Sequence, residues 1–336
     1  MIRVAHRGLG VQDFSLAAAR VIGRVVPFDG VCVLTMDPAT LLPTGEVVEN
    51  GLPASTVPRM TEIELGEADF NKFADLARRR RPAASLSQAT GGDLDRSVRH
   101  RELRRPNGFG DELRAALVSE SGTWGGITLL RDAASAHFSR RDAAIVASLS
   151  PHVVDGMRQA ALLSAPPGDG EPGLLMIAGD DAIATANPAA REWLAELEQP
   201  GVQPPAVIRA VARRARDIAS GSTAAGSARA RIHTRSGRWL LARGTVLGDE
   251  VAVMLEPAGP PELAPLIADA YRLTEREQKL TALVAQGLST NAIAKRLYLA
   301  PYTVQDHLKS VFEKVGVGSR GELVARLYLD HYASRL

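Results

Sequence analysis

With 336 residues, 45% of them hydrophobic and 23% charged, the chain exceeds an ordinary domain of roughly 100 to 200 residues and predicts two or three separate cores. A net charge of +2 excludes a basic surface extending over the whole molecule, so an anionic partner must be met by a local patch. Cys32 is the single cysteine, which excludes an internal disulfide framework, and no apolar run approaches the roughly 20 residues of a membrane helix.

The opening stretch "MIRVAHRGLG" lacks the apolar core of a signal peptide, so the expectation is a cytoplasmic protein with no membrane partner. Two Pro/Gly-rich joints, "SAPPGDGEPG" from Ser164 and "EPAGPPELAP" from Glu256, read as linkers, because proline without periodic apolar partners does not continue a helix or a central strand. In the first segment "DFSLAAARVIGRVV" has helical spacing and "DGVCVLTMDP" is a β-branched run that makes Cys32 a buried, inert thiol. "EADFNKFADLARRRRP" predicts a helix stopped at Pro82, with Arg78 to Arg81 as its solvated last turn. "DELRAALVSESGTWGGITLLRD" predicts a hairpin, and "FSRRDAAIVASLSPHVVDGMRQAALL" a long helix capped by Ser139. The arginines of "DRSVRHRELRRP" predict a surface helix, with a pocket for an anionic ligand as the alternative.

The second segment opens with "GLLMIAGDDAIATANPAAREWLAEL": strand, turn, strand, then a helix after Asn187-Pro188. A basic helix at "AVIRAVARRARDIAS" and three strands at "RARIHT", "RWLLARGTVL" and "EVAVMLEP" follow. His233 lies on a strand face and reads as structural.

In the third segment Thr274 to Glu277, "TERE", is a capping box. Gly287 stops the helix it starts, Ser289 caps a second at "TNAIAKRL", and Pro301 opens a third. "SRGE" from Ser319 starts a fourth. Four helices joined by tight turns predict a helix-turn-helix domain with one extra helix. At about 100° per residue, Val304, Leu308, Val311 and Val315 share one apolar stripe of the third helix. Tyr302, Asp306, Lys309 and Glu313 lie opposite, with Gln305 at the edge. A helix held by one stripe, with hydrogen-bonding side chains on the other side, fits the DNA major groove. From Tyr271 onward there are ten basic and six acidic side chains, a net +4 that leaves −2 for the rest of the chain; the positive charge is concentrated in this domain.

Three resemblances follow from these stretches. Helix, sheet and long terminal helix in the first segment resemble the GAF sensor domain, and the second segment resembles a PAS domain. "LTEREQKLTALVAQGLSTNAIAKRLYLAPYTVQDHLKSVFEKVGVGSRGELVA" resembles the LuxR-type, or GerE, helix-turn-helix over nearly its whole length. The implied fold class is multidomain α+β: a GAF-like sensor at 1–165, a PAS-like sensor at 166–258, a linker at 259–270 and an all-α four-helix LuxR-type domain at 271–336. The last resemblance implies base-facing roles for Gln305, Asp306 and Lys309, and phosphate contacts for Thr303, His307, Lys314, Thr290 and Asn291. Tyr302 and Val304 complete the DNA-binding set. Leu323, Val324, Leu327 and Tyr328 on the fourth helix are the implied dimer contacts, giving a homodimer on an inverted repeat with half-sites about one helical turn apart. Ala300 stands where the family usually has a Ser cap.

The expected function is therefore sequence-specific regulation of transcription. Double-stranded DNA is the expected partner, RNA polymerase a further one, and the signal for the sensors is an unknown small molecule or protein. The alternative is a signalling adaptor whose helix-turn-helix domain docks on a protein. "GDGEPG" precedes a strand and contains Pro172, so it reads as linker and not as a dinucleotide loop. No P-loop, metal spacing or nucleophile-base set is present, so neither a cofactor nor enzyme activity is expected.

Overall fold

The computed structural model describes residues 1, 9–120, 122–162, 170–197, 204–222 and 226–329, with the main chain alone at 260, 328 and 329. Among the described residues the first element of the first unit is α1 (Val11–Gly23), whose Phe14, Ala18, Ala19 and Ile22 are buried at helical spacing. It continues through β1 (Gly30–Met36), β2 (Pro43–Glu49), α2 (Val57–Gly66), β3 (Ala83–Ser85), β4 (Phe109–Ser119), β5 (Gly122–Asp132) and α3 (Arg140–Leu162). The strands form an antiparallel sheet in the order β2-β1-β5-β4-β3. Val31, Val33, Leu113, Leu117, Ile127 and Leu129 share a core with Phe14 and Ile22 of α1 and with Val146, Val153 and Met157 of α3. A Cβ at Gly156 would stand 2.0 Å from the Phe14 ring, so the approach of α1 to α3 depends on a glycine there. The hairpin and the long helix lie where the sequence places them. Ser139 caps α3, with its hydroxyl 3.1 Å from the Asp142 amide.

Three parts of this unit differ from expectation. The helix predicted from Glu67 to Arg81 is reduced to a single helical turn, Phe73–Leu76, because Asn71 adopts φ +53°, which a continuing right-handed helix does not accept. α2 and β2 went unpredicted: Pro58 sits in the first turn of α2, where its missing N–H is harmless, and β2 is an edge strand rich in Thr, Gly and Glu. Arg99 and Arg104 are 0% and 6% exposed, not on a surface helix. Arg99 donates to Glu112 at 2.5 Å, Arg104 to Glu112 at 3.1 Å, and Asp69 lies 3.3 Å from Arg99. Burial favours the neutral acid at Glu112, yet the three arginines around it hold its carboxyl well below the usual carboxylate range. These two arginines are thus committed to internal carboxylates and cannot form the alternative pocket for an anion. Cys32 is half-buried where the sequence predicts a buried thiol; desolvation and the neighbouring Glu46 still push it up to about 12, so it stays protonated.

The second unit contains β6 (Gly173–Ile177), β7 (Ile183–Ala186), α4 (Pro188–Leu197), α5 (Ala206–Ala219), β8 (Arg229–His233), β9 (Trp239–Leu247) and β10 (Glu250–Pro257). Its sheet order is β7-β6-β10-β9-β8, the same arrangement as in the first unit. In both, a three-stranded meander returns its last strand to the side of the first. Asn187 caps α4, accepting the Ala190 amide at 2.8 Å. Ile208 and Val211 of α5 pack on Leu175, Ile232, Leu240 and Val253 of the sheet. The two units meet at an ion pair, where Asp37 at the end of β1 accepts from Nη2, Nε and the main-chain N–H of Arg231 on β8, at 2.6, 2.8 and 2.8 Å. Burial disfavours the Asp37 charge, but these contacts outweigh it and hold the carboxyl below its ordinary value.

The second proline-rich joint is a helix, α6 (Pro260–Ala270), contrary to the composition reading. Pro260 and Pro261 occupy its first turn, where no intrahelical N–H is needed. Four helices follow: α7 (Glu275–Ala285), α8 (Thr290–Leu297), α9 (Pro301–Val315) and α10 (Arg320–Val324), the last continuing as a wider turn over Ala325–Leu329. The chain is thus a multidomain α+β protein with an all-α C-terminal domain. The first proline-rich joint lies largely outside the described residues, and no described helix is long and apolar enough to cross a membrane.

Candidate nucleic-acid interface

The C-terminal domain is built from caps inward. Thr274 and Glu277 form the predicted capping box: the Glu277 amide is 3.3 Å from the Thr274 hydroxyl, and the Thr274 amide is 2.7 Å from the Glu277 carboxylate. That carboxylate also accepts from Ser310 at 2.7 Å and Lys314 at 2.6 Å, tying α7 to α9. Burial disfavours the charge on Glu277, but the Lys314, Ser310 and Thr274 contacts outweigh it and bring its pKa to about 2. Ser289 caps α8 through the Ala292 amide at 3.3 Å, and α9 has no side-chain cap at Ala300. Leu280, Val284, Ile293, Val304, Leu308, Val311 and Val315 close the core.

Between α8 and α9 the chain turns through Tyr298 at φ +54°, a conformation strained for a residue with a Cβ. The next amide, of Leu299, returns to the Ala294 carbonyl at 2.9 Å. This tight turn fixes α9 across α8. Tyr302, Gln305, Asp306 and Lys309 are exposed along α9, and Thr303 and His307 are half-buried beside them. No other part of the described chain covers this face. Asn291 is exposed and Thr290 half-buried at the start of α8, so every one of these positions lies on α8 or α9.

Three predicted assignments change. Val304 is 0% exposed; its side chain belongs to the core stripe and cannot reach DNA. Leu323 and Leu327 are 0% and 5% exposed, already packed within the chain, so they offer no free dimer face; Val324 is half-buried, and the side chain of Tyr328 lies outside the described residues. The Lys314 ammonium is engaged by Glu277 inside the domain. Arg320 is a residue the sequence reading missed. It donates to the Leu288 carbonyl and the Thr290 hydroxyl, each at 2.8 Å, which brings a guanidinium to the N-terminal end of α8, where the helix dipole also favours an anion. The signal lay 30 positions away in sequence, inside a stretch already explained as a helix cap.

Exposed Lys295, Arg296 and Lys309 form no ion pair among the described residues. Their charges face solvent, as a phosphate-binding surface requires. Among the described residues no group of three His, Cys, Asp or Glu side chains could hold a metal.

The domain with this geometry is a LuxR-type helix-turn-helix: residues 271–327 match the profile of the family described as bacterial regulatory proteins, luxR family. A candidate HTH-type transcriptional regulator of Mycobacterium tuberculosis is 39% identical over 83 residues, covering 25% of this chain and 9% of the relative. The transcriptional regulatory protein UhpA of Escherichia coli is 36% identical over 70 residues, 20% of this chain and 36% of the relative. The chain therefore spans less than half the length of these relatives. Among solved structures, the GAF domain/HD domain protein of Geobacter sulfurreducens is 21% identical with a TM-score of 0.33, covering 44% of this chain and 93% of that one. SdiA of Escherichia coli is 10% identical with a TM-score of 0.33, covering 96% of this chain and 91% of that one.

Proposed function

We propose that the protein is a sequence-specific transcriptional regulator in which the two N-terminal α+β units sense a small molecule or a partner protein. The observation that carries this reading is the uncovered face of α9, with Gln305, Asp306 and Lys309 exposed above a stripe of Val304, Leu308, Val311 and Val315. In this proposal Gln305, Asp306 and Lys309 read base edges, Asp306 by accepting a cytosine amino proton, and Tyr302, Thr303, His307, Thr290 and Asn291 position the domain on the backbone. The protein works in the cytoplasm without a cofactor and without catalysis, binds an inverted repeat as a homodimer and acts on RNA polymerase.

The half-buried Val324 and the segment around Tyr328 remain the dimer contacts of this proposal, with Leu323 and Leu327 supporting them from inside. Selection from a pool of random duplexes tests it. The expected product is an inverted repeat with half-sites about one helical turn apart. Recovery of no sequence, together with partner capture that survives high salt, would favour the adaptor reading.

A further inference from the structure

A cavity of about 620 Å3 lies where the two sheets meet the linker helix, within the roughly 300 to 1,000 Å3 range of small-molecule sites. Its apolar wall comes from three parts of the chain: Val33, Trp124 and Met157 of the first unit, Trp239 of the second, and Leu266 of α6. The charged groups at its edge carry both signs. Asp37 and Arg231 satisfy each other, and Asp13, Glu46 and Arg235 also line it. Burial raises the pKa of Glu46 and lowers that of His233, so both are biased to their neutral forms. Two indole rings and charges of both signs favour an uncharged, largely apolar molecule, since an ion would be desolvated there without a dedicated counter-charge.

One wall residue is also a joint of the molecule. The Trp124 indole N–H donates to Asp269 of α6 at 2.5 Å, and Arg158 of α3 donates to the other oxygen of the same carboxylate at 2.7 Å. Asp269 is 5% exposed, so it depends on these two partners. Arg272 adds a 2.8 Å pair to Asp155 of α3. On its other side α6 packs against the turn Ala325–Leu329 of the DNA-binding domain. A displacement of Trp124 is thereby transmitted to α6, and from α6 to the last helix.

We propose that this cavity is an effector site for an uncharged, mostly apolar small molecule, and that a molecule seated against Trp124 loosens its hydrogen bond to Asp269 and undocks α6 from the first unit. The consequence for DNA rests on the regulator reading above; binding and undocking do not.

The test uses the full-length protein and two dyes, uncharged N-phenyl-1-naphthylamine and its anionic counterpart 1-anilinonaphthalene-8-sulfonate. The neutral dye should bind at one saturable site, about tenfold tighter than the anion. Ala161→Phe, which fills the cavity from α3, should weaken it by about tenfold or more, with thermal unfolding showing that the variant folds; Val47→Phe, filling from β2, replaces it if that variant does not fold. Hydrogen exchange at α6 should accelerate on the order of tenfold with the dye, and Trp124→Phe should do so without it. Absence of saturable binding, equal binding of the anion, indifference to the filling variants, or unchanged exchange at α6 would overturn the site. Dye affinity and exchange are read without DNA. If both behave as expected while no duplex is bound, the regulator reading falls and the effector site stands.

Discussion

Glu277 shows how one carboxylate can hold a small helical domain together. It caps α7, accepts from Ser310 and Lys314 of α9, and is 3% exposed. Glu277→Gln leaves Lys314 without its counter-charge and should destabilise the domain by about 1–3 kcal/mol, measured by chemical denaturation. The folded pKa of about 2 lies below the ordinary 4.5, so the stabilisation is complete above pH 4.5 and is lost as the pH falls toward 2. In wild type the domain's unfolding midpoint should drop across that window, and in Glu277→Gln the drop should be shallower. At this scale the sequence was partly legible. The capping box and the polar edge of α9 follow from local spacing. The engagement of Lys314, the approach of Arg320 to Thr290 and the burial of Arg99 depend on residues 37, 30 and 13 positions away, and no local pattern encodes those pairings.

At the scale of elements, the turn between α8 and α9 carries two unfavourable features that make it a place to test the fold. Ala300 provides no cap, and Tyr298 is 96% exposed with positive φ. Ala300→Ser should stabilise α9 by about 0.5–2 kcal/mol. Tyr298→Gly should gain on the order of 1 kcal/mol by relieving the left-handed conformation. Thermal unfolding checks both. If Tyr298→Gly also weakens duplex binding, the exposed ring serves the interface. Helices with strong periodicity were legible, as were strands bounded by turn residues. The failures have separate causes: Asn71 at positive φ cuts short a helix whose apolar spacing is good, and prolines at Pro260 and Pro261 start a helix where composition suggests a joint. Proline reads as a breaker only when its place within the element is unknown.

Across the whole molecule, two buried ion pairs join three parts: Asp37–Arg231 between the sheets, and Asp269–Arg158 between the first unit and the linker helix. Asp37→Asn strands the buried Arg231 guanidinium and should cost about 3–5 kcal/mol. In a denaturant titration the second unit should then unfold before the first, whereas wild type loses both together. Neither pair was visible in the sequence, since each joins residues more than 100 positions apart. The succession of two α+β segments and an all-α one was visible from the periodicity, although the second proline-rich stretch is a helix and not a joint. Electrophoretic shift of the selected duplex across a salt series measures both the proposed seating of α9 in the major groove and the proposed phosphate contacts of the basic side chains beside it. Affinity should fall steeply with salt, and Lys309→Ala should weaken the selected site by about 1–3 kcal/mol while affecting random sequence less. A flat salt response together with indifference to Lys309→Ala would contradict it.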